Sequence, residues 1–358
     1  MRANLLEYSL PQLKSSLQDM GEPPFRAKQI WQWTWQKGCM DFSDMTNLGR
    51  ELRSCLTERF SLDRPVVRDC LYSQDGTIKF LLRLADEHII ETVLIPEKDH
   101  FTLCVSSQVG CPLGCAFCST GRMGFERNLT PGEILGQVLV AREHLQMTGN
   151  PLPLRNIVFM GMGEPLLNWP QVEHSLTIIR DPLGLNVSHR RVTVSTVGVP
   201  EHLQECARSG LASLAVSLHA PTQTLRERLM PRAARLMSIS DLVGALEEIP
   251  LKPRQRITIE YILIRGVNDS AQQARDLHRL VSGLKCKINL IAFNPGEGLG
   301  FQAPAKEDIL KFEQILWDKG HTVILRKSKG QDIHAACGQL YRNQARKPHG
   351  HERERIQS

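Results

Sequence analysis

The sequence lacks any long apolar segment. No run approaches the ~20 consecutive apolar residues that a helix needs to cross a bilayer. The N-terminus has no apolar core of the kind that a signal peptide requires. These absences argue against a secreted or membrane-spanning protein. We therefore expect a cytoplasmic protein with no membrane partner.

A reducing compartment changes how the ten cysteines are interpreted. Structural disulfides are rare in the cytosol, so clustered cysteines indicate metal binding or redox chemistry. Scattered cysteines are expected to be small core residues, because free cysteine is among the most buried residue types. The scattered ones are Cys39, Cys55, Cys70, Cys206 and Cys286.

Neither sign of charge is in large excess. The net charge of +6 on 358 residues permits a polyanionic partner but does not require one. Basic residues cluster at positions 326–329 and again in the C-terminal tail. Each cluster is either a solvated surface or a contact to a polyanion. With 41% hydrophobic and 23% charged residues, the composition is that of a soluble globular protein.

Four regions follow from the pattern along the chain. They are a helical accessory domain (1–60), a small β extension or linker (61–96), a core (97–340) and a basic, flexible tail (341–358). Trp31, Trp33 and Trp35 lie among basic residues that suit nucleic acid, but tryptophans in a small helical domain are interpreted as core. Residues 74–77 are predicted to form a hairpin turn.

In the core region, short apolar strands alternate with helices. Strands are predicted at 102–106, 156–159, 191–195, 213–218, 257–264, 287–292 and 322–325. Helices are predicted at 131–146, 169–179, 201–209, 240–248, 270–283 and 306–319. Such alternation implies an α/β fold with a parallel sheet and right-handed crossovers. Six or more units suit an open or closed barrel.

Strand after strand ends in a polar or glycine-rich step. In parallel α/β proteins the carboxyl ends of the strands form the ligand face. Several such steps in succession therefore indicate one shared pocket. The residues concerned are Gly163, Glu164, Ser195, Ser217, Leu218, His219 and Asn294.

Three cysteines lie together directly after a predicted strand. Cys111, Cys115 and Cys118 have C-x3-C-x2-C spacing, and no histidine follows them before His144. A structural zinc site normally has four ligands. Three thiolates suit a [4Fe–4S] cluster with one iron left open for chemistry. Zinc binding and simple burial remain as alternatives.

This spacing, with Phe117 before the third cysteine, resembles the radical S-adenosylmethionine superfamily. The resemblance implies that the amino and carboxylate groups of S-adenosylmethionine bind the open iron. One electron from the cluster then yields a 5′-deoxyadenosyl radical. The polar strand ends would orient this cofactor.

The whole chain resembles the RlmN/Cfr family of RNA adenine methyltransferases. The matching segments are PFRAKQIW (24–31), ETVLIP (91–96), CVSSQVGC (104–111), FMGMGEP (159–165), SLHAP (217–221), KINL (287–290) and ACGQL (336–340). The resemblance implies a partial (β/α)6 barrel with an N-terminal helical accessory domain. It also implies methylation of adenine carbon 2 in 23S rRNA, and in some members in transfer RNA, with a flavodoxin-type protein as a possible electron donor.

The same resemblance implies roles for three further residues. Cys337 takes a methyl group from one S-adenosylmethionine, and a second molecule supplies the radical, so two are used per turnover. The resulting methylene radical adds to the adenine and links it to Cys337. Cys104 then attacks Cys337, and a transient disulfide releases the methylated base. Glu91 accepts the proton that the base loses.

Two alternatives remain open. One is a family relative that methylates carbon 8 of the same adenine, against which Pro165 after Glu164 is a single-residue argument. The other is a non-catalytic RNA-binding protein stabilised by zinc.

Overall fold

The computed structural model describes residues 2–296 and 298–340. The chain begins with three helices, α1 (Leu10–Asp19), α2 (Phe25–Trp35) and α3 (Arg50–Arg59). Ser9 caps α1, because its side chain accepts a hydrogen bond from the Gln12 amide while the Gln12 side chain accepts from the Ser9 amide. A short parallel pair, β1 (Ala3–Asn4) and β2 (Phe60–Ser61), closes this region at its two ends.

The tryptophans of α2 belong to the hydrophobic core. Trp31 and Trp35 are 1% and 0% exposed, and their rings meet edge to face at 5.7 Å. Trp33 packs partly against the same core, with the Lys37 ammonium 3.4 Å from its ring centroid. The interpretation of these residues as core is confirmed. The aromatic ring that α2 leaves exposed is Phe25.

Four antiparallel strands follow. They are β3 (Val66–Tyr72), β4 (Ile78–Arg83), β5 (Ile89–Pro96) and β6 (Phe101–Val105). The predicted hairpin turn lies between β3 and β4, where the Ser73 amide donates to the Thr77 carbonyl and Gly76 has a φ of 83°.

A small hairpin and a short helix come next. The strands β7 (Gln108–Gly110) and β8 (Phe125–Asn128) pair antiparallel, and α4 (Ser119–Arg122) lies between them. The connection from β7 to α4 contains the three clustered cysteines. This excursion from the main sheet holds them beyond the carboxyl end of β6.

Beyond β8, strands and helices alternate. The helices are α5 (Pro131–Met147), α6 (Trp169–Arg180), α7 (Pro200–Ser209), α8 (Gln223–Leu229), α9 (Pro231–Leu236), α10 (Ile239–Glu247), α11 (Ala271–Val281) and α12 (Lys306–Asp318). The strands are β9 (Leu154–Phe159), β10 (Val192–Thr196), β11 (Ser213–Ser217), β12 (Ile257–Leu263), β13 (Cys286–Ala292) and β14 (Val323–Arg326). Every predicted strand and helix of this region is found within two residues of its expected ends. Helices α8 and α9 were not predicted, because their short, arginine-rich sequences lack an apolar repeat.

One sheet joins these strands in the order β14-β13-β12-β11-β10-β9-β6-β5-β4-β3. All neighbours from β6 to β14 are parallel, and β3 and β14 form its two edges. The predicted fold class, an α/β partial barrel with N-terminal helices, is confirmed. Strand β12 is buried along its whole length, as expected for a parallel strand covered on both faces.

The scattered cysteines are less buried than expected. Cys206 is buried, which confirms the core interpretation for it. Cys39, Cys70 and Cys286 are half-buried and pack against the edge of the core, and Cys55 is half-buried. Cys70 lies on the edge strand β3, which has a neighbour on one side. None of the helices within 2–296 and 298–340 is long and apolar enough to cross a membrane.

The core role of Trp31 can be tested by truncation. We expect Trp31→Ala to lower the free energy of unfolding by about 3–5 kcal/mol, because it leaves a large cavity. Phe25→Ala, on the same helix, removes a ring that is 52% exposed and should cost less than about 1 kcal/mol. Urea denaturation followed by circular dichroism measures both, and equal losses would contradict the packing described.

Candidate active site

The loop with the three cysteines is built on glycine. Gly110 has a φ of 76°, and a Cβ there would collide with the Gly124 carbonyl oxygen. The Cys111 amide donates to that same oxygen at 2.8 Å. Within the loop, the Cys118 amide donates to the Cys115 carbonyl at 3.1 Å. These contacts fix the positions of the three thiols relative to β7 and α4.

The thiols lie in a second, smaller apolar cluster with Leu113 and Phe117. Burial raises the pKa of Cys111 to about 12 and also raises the pKa of Cys115 and Cys118. The charges of Cys118 and Cys111, when ionised, raise the pKa of Cys115 further. Such thiols become ligands when cations replace their protons.

This donor set fits an iron–sulfur cluster. Within the described part of the chain, no three His, Cys, Asp or Glu side chains converge as ligands of one metal ion. A [4Fe–4S] cluster offers each thiolate a different iron atom, so three thiols spread around a loop suit it. Cys111, Cys115 and Cys118 are the residues that would hold it.

Two arginines that were not singled out from the sequence bind backbone carbonyls, one in the cysteine loop and one at the neighbouring strand ends. Arg232 donates to the Pro112 carbonyl. Arg226 is fully buried and donates to the carbonyls of Val197, Ser217 and Leu218 at 2.6, 3.2 and 3.0 Å. Its guanidinium thereby joins the ends of β10 and β11. Both arginines lie on the unpredicted helices, whose charged sequences resemble a solvated surface.

Glu164 is a buried carboxylate at the end of β9. Its two oxygens accept from the Leu166 and Val197 amides, each at 3.0 Å. Burial raises its pKa to about 7, although these hydrogen bonds and one from Thr196 oppose the shift. Gly163 has a φ of 103°, and a Cβ there would lie 2.6 Å from the Gln108 Cβ. The Gly163–Glu164 step therefore packs directly on β7.

A row of polar side chains crosses the interior face of the sheet. Ser217, Glu260 and Asn289 are in register on neighbouring strands. The Ser195 hydroxyl donates to Glu260 Oε2 at 2.7 Å and lies 3.3 Å from the Ser217 hydroxyl. Burial raises the pKa of Glu260. Among the described residues, Glu260 Oε1 and Asn289 Oδ1 have no hydrogen-bond partner, so they offer acceptors to a bound molecule.

Glu260 and Asn289 were not singled out from the sequence. The available signal was a polar residue in the middle of a strand that is mostly apolar and buried, Glu260 in β12 and Asn289 in β13. A buried polar residue needs a partner, so such an interruption indicates either a structural contact or a ligand.

His219 supports the cysteine loop. It is buried with a φ of 59°, and its Nδ1 accepts from the Ile262 amide at 3.1 Å. Burial lowers its pKa to about 3, helped by Arg226, so the imidazole is neutral. Its ring meets Phe117 edge to face at 5.0 Å. The preceding Leu218 is buried, and its amide donates to the Glu260 carbonyl.

Asn294 holds the segment that contains Cys337. Its Nδ2 donates to the Cys337 carbonyl at 3.2 Å, and its Oδ1 accepts from Gln331 at 2.7 Å. The cofactor contact expected from the sequence stays a prediction, because this side chain binds the protein at both ends.

Cys104 and Cys337 lie near each other, and Cys337 lies near the loop of Cys111, Cys115 and Cys118, which we call the cluster loop. Cys104 is buried on β6, and its pKa is raised by burial and by Cys337. Cys337 is exposed as a residue, but burial of its thiol raises the thiol's pKa, and the nearby Arg326 opposes that shift. The structure thus brings together two thiols that lie more than two hundred positions apart in the sequence.

Several anchors fix the Cys337 segment. The Gly330 amide donates to Asp75, and Asp332 accepts from Ser73 at 2.6 Å, both in the turn between β3 and β4. On the other side, the Ser119 amide donates to the Gly338 carbonyl at 2.8 Å. The segment is therefore held between the first hairpin of the sheet and the cluster loop.

Glu91 is buried on β5, not exposed at a strand start. Its Oε1 lies 3.1 Å from the Lys79 ammonium, and its carbonyl accepts from the Ser106 hydroxyl at 2.6 Å. Strand register places Val93 opposite Cys104, so Glu91, two residues earlier, projects from the same face as Cys104. The predicted proton acceptor and resolving thiol thus share one face of the sheet.

Comparison with known proteins identifies the class. The family model of the radical SAM superfamily matches residues 105–277, and that of the ribosomal RNA large subunit methyltransferase N-terminal domain matches residues 3–62. A crystal structure of a radical SAM methyltransferase from Sphaerobacter thermophilus is similar, with a TM-score of 0.89 and 42% identity, and the match covers 94% of this chain and 99% of that one. The fold and the three-cysteine loop therefore define a radical S-adenosylmethionine enzyme.

Curated relatives narrow the class to a family. The dual-specificity RNA methyltransferase RlmN of Solidesulfovibrio magneticus is 54% identical over 337 residues, which cover 94% of this chain and 96% of that protein. The protein of the same name from Nitratidesulfovibrio vulgaris is 58% identical over 327 residues, covering 90% and 89%. The chain belongs to the RlmN family. Enzymes of this class use a [4Fe–4S] cluster and S-adenosylmethionine.

Iron analysis tests the assignment of the ligands. Cys111→Ala, Cys115→Ala and Cys118→Ala should each lose most of the approximately four iron atoms per chain and the brown colour, because each removes one of three ligands. Cys104→Ala and Cys206→Ala should keep both and serve as controls. A single zinc in the anaerobically purified protein would contradict the assignment.

The pKa of Glu164 predicts a pH dependence of cofactor affinity. As a carboxylate, Glu164 can accept a hydrogen bond from the amino group of S-adenosylmethionine, and protonation removes this acceptor. With a pKa of about 7, affinity should rise with pH through neutrality and fall about tenfold per unit well below it. Glu164→Gln should bind weakly with a flat profile, whereas Glu173→Gln, outside the strand ends, should behave like the wild type in calorimetry.

Proposed function

We propose that this protein methylates carbon 2 of an adenine in RNA through a methyl group carried on Cys337. The observation that supports this most directly is the arrangement of two thiols. An exposed Cys337 lies near a buried Cys104, and Cys104 projects from the sheet face that presents Glu91. A methyl transfer in which the RNA base attacks S-adenosylmethionine directly would need no such pair of thiols.

The chemistry at carbon 2 explains why thiols are needed. This carbon lies between two ring nitrogens and is electron-poor, so it does not attack a sulfonium methyl group. The cluster and S-adenosylmethionine, when bound, supply a methyl group and the means to remove one hydrogen atom from it. Cys337 holds that methyl group as a thioether, and its exposure gives the base access to the carbon.

Glu91 and Cys104 complete the transfer. After the methylene carbon on Cys337 adds to carbon 2, the ring loses one proton to Glu91. It also loses one electron, which passes to the one-electron carrier proposed below, a flavodoxin-type protein. The Cys104 sulfur then attacks the Cys337 sulfur, and the thiol gives up its proton as the bond forms. The sulfur–carbon bond breaks, a disulfide forms, and the released carbon takes up that proton to become the new methyl group.

Burial of Cys104 suits this last role. Burial raises its pKa, so the thiol stays protonated and unreactive until the adduct has formed. Its burial on β6 keeps it from the RNA itself. A thiol that should react only with the Cys337 sulfur must be shielded from solvent and from RNA.

The relatives named as dual-specificity RNA methyltransferases support RNA as the substrate, with 23S rRNA and transfer RNA as the two candidates. Residues 1–60 are proposed as an RNA-binding accessory domain, joined through 61–96 to the core at 97–340. Exposed Lys28 and Lys37 on and after α2 would face phosphates, so binding should weaken as salt rises.

The predicted basic tail, 341–358, lies outside the described residues. A flavodoxin-type protein is proposed as the electron donor.

Methylation of carbon 8 is the second candidate, since the same pair of thiols would serve it. The relatives at 54% and 58% identity, both named RlmN, favour carbon 2. Mass spectrometry of the modified nucleoside against synthetic 2-methyladenosine and 8-methyladenosine distinguishes the two.

Cys104→Ala tests the mechanism. We expect this variant to accumulate a covalent adduct between Cys337 and RNA that survives denaturation and thiol reductants, because no second thiol releases the base. Denaturing gel electrophoresis and mass spectrometry of the linked peptide would detect it. Cys337→Ala should form neither adduct nor product.

Cys206→Ala is the matched control, because Cys206 is buried on α7 away from both thiols. It should turn over like the wild type. Multiple turnovers by Cys104→Ala without an adduct would remove Cys104 from the mechanism.

A further inference from the structure

Lys79 is a buried lysine that has no part in the chemical steps proposed for Cys337, Cys104 and Glu91. It lies on β4 and is 4% exposed, which is rare for a residue with a long charged side chain. Its ammonium makes two contacts, to Glu91 Oε1 at 3.1 Å and to the His334 carbonyl oxygen at 3.1 Å. Glu91 is the proposed proton acceptor, and His334 lies three residues before Cys337.

The strand register explains why Lys79 reaches both partners. Lys79 lies opposite Val93 on β5, and Val93 lies opposite Cys104 on β6. Residues that are directly opposite point to the same face, as do residues two apart on one strand. Lys79, Glu91 and Cys104 therefore project together toward the Cys337 segment.

The contact to His334 fixes an unusual backbone. His334 has a φ of 52°, a left-handed conformation that is uncommon outside glycine. Such a conformation persists where surrounding contacts determine it. The Lys79 ammonium binds the carbonyl at this bend and so helps to set the direction in which the chain continues to Cys337.

The contact to Glu91 compensates a buried negative charge. A carboxylate must be ionised to accept a proton, but burial disfavours the ionised form. At 3% exposure, Glu91 has little water to stabilise its charge. The ammonium of Lys79, itself buried, compensates that charge directly. Removing one member of a buried pair leaves the other uncompensated.

We propose that Lys79 is a positioning residue that holds the proton acceptor Glu91 ionised and aligned with the methyl-carrying Cys337 segment. This inference rests on the function proposed above. Lys79 itself gains and loses no proton: the proton of carbon 2 passes to Glu91, and the electron passes to the carrier. The lysine thus couples two chain segments that must meet the same adenine.

Three variants test the proposal. Lys79→Met removes the charge and both contacts at similar volume, Lys79→Gln removes the charge but keeps a donor, and Lys79→Arg restores the charge. Arg83→Met is the matched control, because Arg83 lies on the same strand and its ion pair with Glu87 is at the surface. Iron content and circular dichroism establish that each variant is folded and loaded.

Two measurements separate positioning from a general structural role. The first is the ratio of 5′-deoxyadenosine to methylated adenine. In Lys79→Met and Lys79→Gln we expect it to rise on the order of tenfold, because hydrogen removal from the methyl group continues while proton loss from the ring is slow. Lys79→Arg and Arg83→Met should stay near the wild-type ratio.

The second measurement is the pH profile of product formation. The titratable and charged groups around Glu91 include Lys79 from β4, Cys104 from β6, Arg326 from β14, and His334 and Cys337 from the C-terminal segment. Loss of the ammonium disfavours the carboxylate, so the acid limb should move to higher pH by about one unit or more. The wild-type acid limb should persist in His334→Asn, since asparagine tolerates the left-handed backbone.

The outcomes are distinct. Loaded Lys79→Met and Lys79→Gln with the wild-type ratio and an unmoved acid limb would overturn the proposal while leaving the proposed function intact. A wild-type enzyme that makes no methylated adenine would instead overturn the proposed function. If Lys79→Met does not fold, the ratio and the acid limb measured on Lys79→Gln decide whether the proposed role of Lys79 holds.

Discussion

Burial of ionisable side chains on the interior face of the sheet is the constraint on which the rest of the structure depends. A low-dielectric interior disfavours charge, so every buried acid or base there needs either a neutral state or a compensating neighbour. The thiols remain neutral, with raised pKa values. The carboxyl group of Glu164 lies between two backbone amides, and that of Glu91 lies against an ammonium. In each case the buried group remains available to react when a ligand binds.

The open sheet makes the position of Cys337 possible. Because β3 and β14 are edges, the sheet leaves a gap between its first and last strands. The chain leaving β14 crosses this gap and binds the turn between β3 and β4 through Asp75 and Asp332. Asn294, after β13, holds the same segment from the opposite side. A fully closed barrel would leave no such path from the last strand to the interior.

The arrangement of strands and helices was predictable because apolar runs of strand length alternate with helices that have clear caps. Thr130 and Glu133 at the start of α5, for example, form a reciprocal capping pair that the sequence displays directly. The strand-end residues were predictable for the same reason, since topology places the carboxyl ends of parallel strands together. Local pattern was sufficient for both.

Lys79, Arg226 and Glu260 were not predictable in this way. Arg226 lies in a charged segment that fits a surface position, whereas Lys79 and Glu260 are single charged residues within largely apolar strands. In all three, the role arises from partners far away in the chain. Lys79 contacts a residue 255 positions later, and Arg226 binds a carbonyl 29 positions earlier. No local periodicity encodes such contacts. They follow from strand register and helix placement, which the folded chain determines.

The difference in exposure between the two thiols gives an order to the chemistry. A methyl carrier must reach both a cofactor and a large RNA, so it has to be accessible, as Cys337 is. A resolving thiol that met solvent or RNA first would react too early or form the disulfide before any base is bound. Burial of Cys104 on β6, an interior strand of the sheet, shields its thiol from both. The sheet thus separates the two thiols by environment, and the sequence of steps follows from that separation.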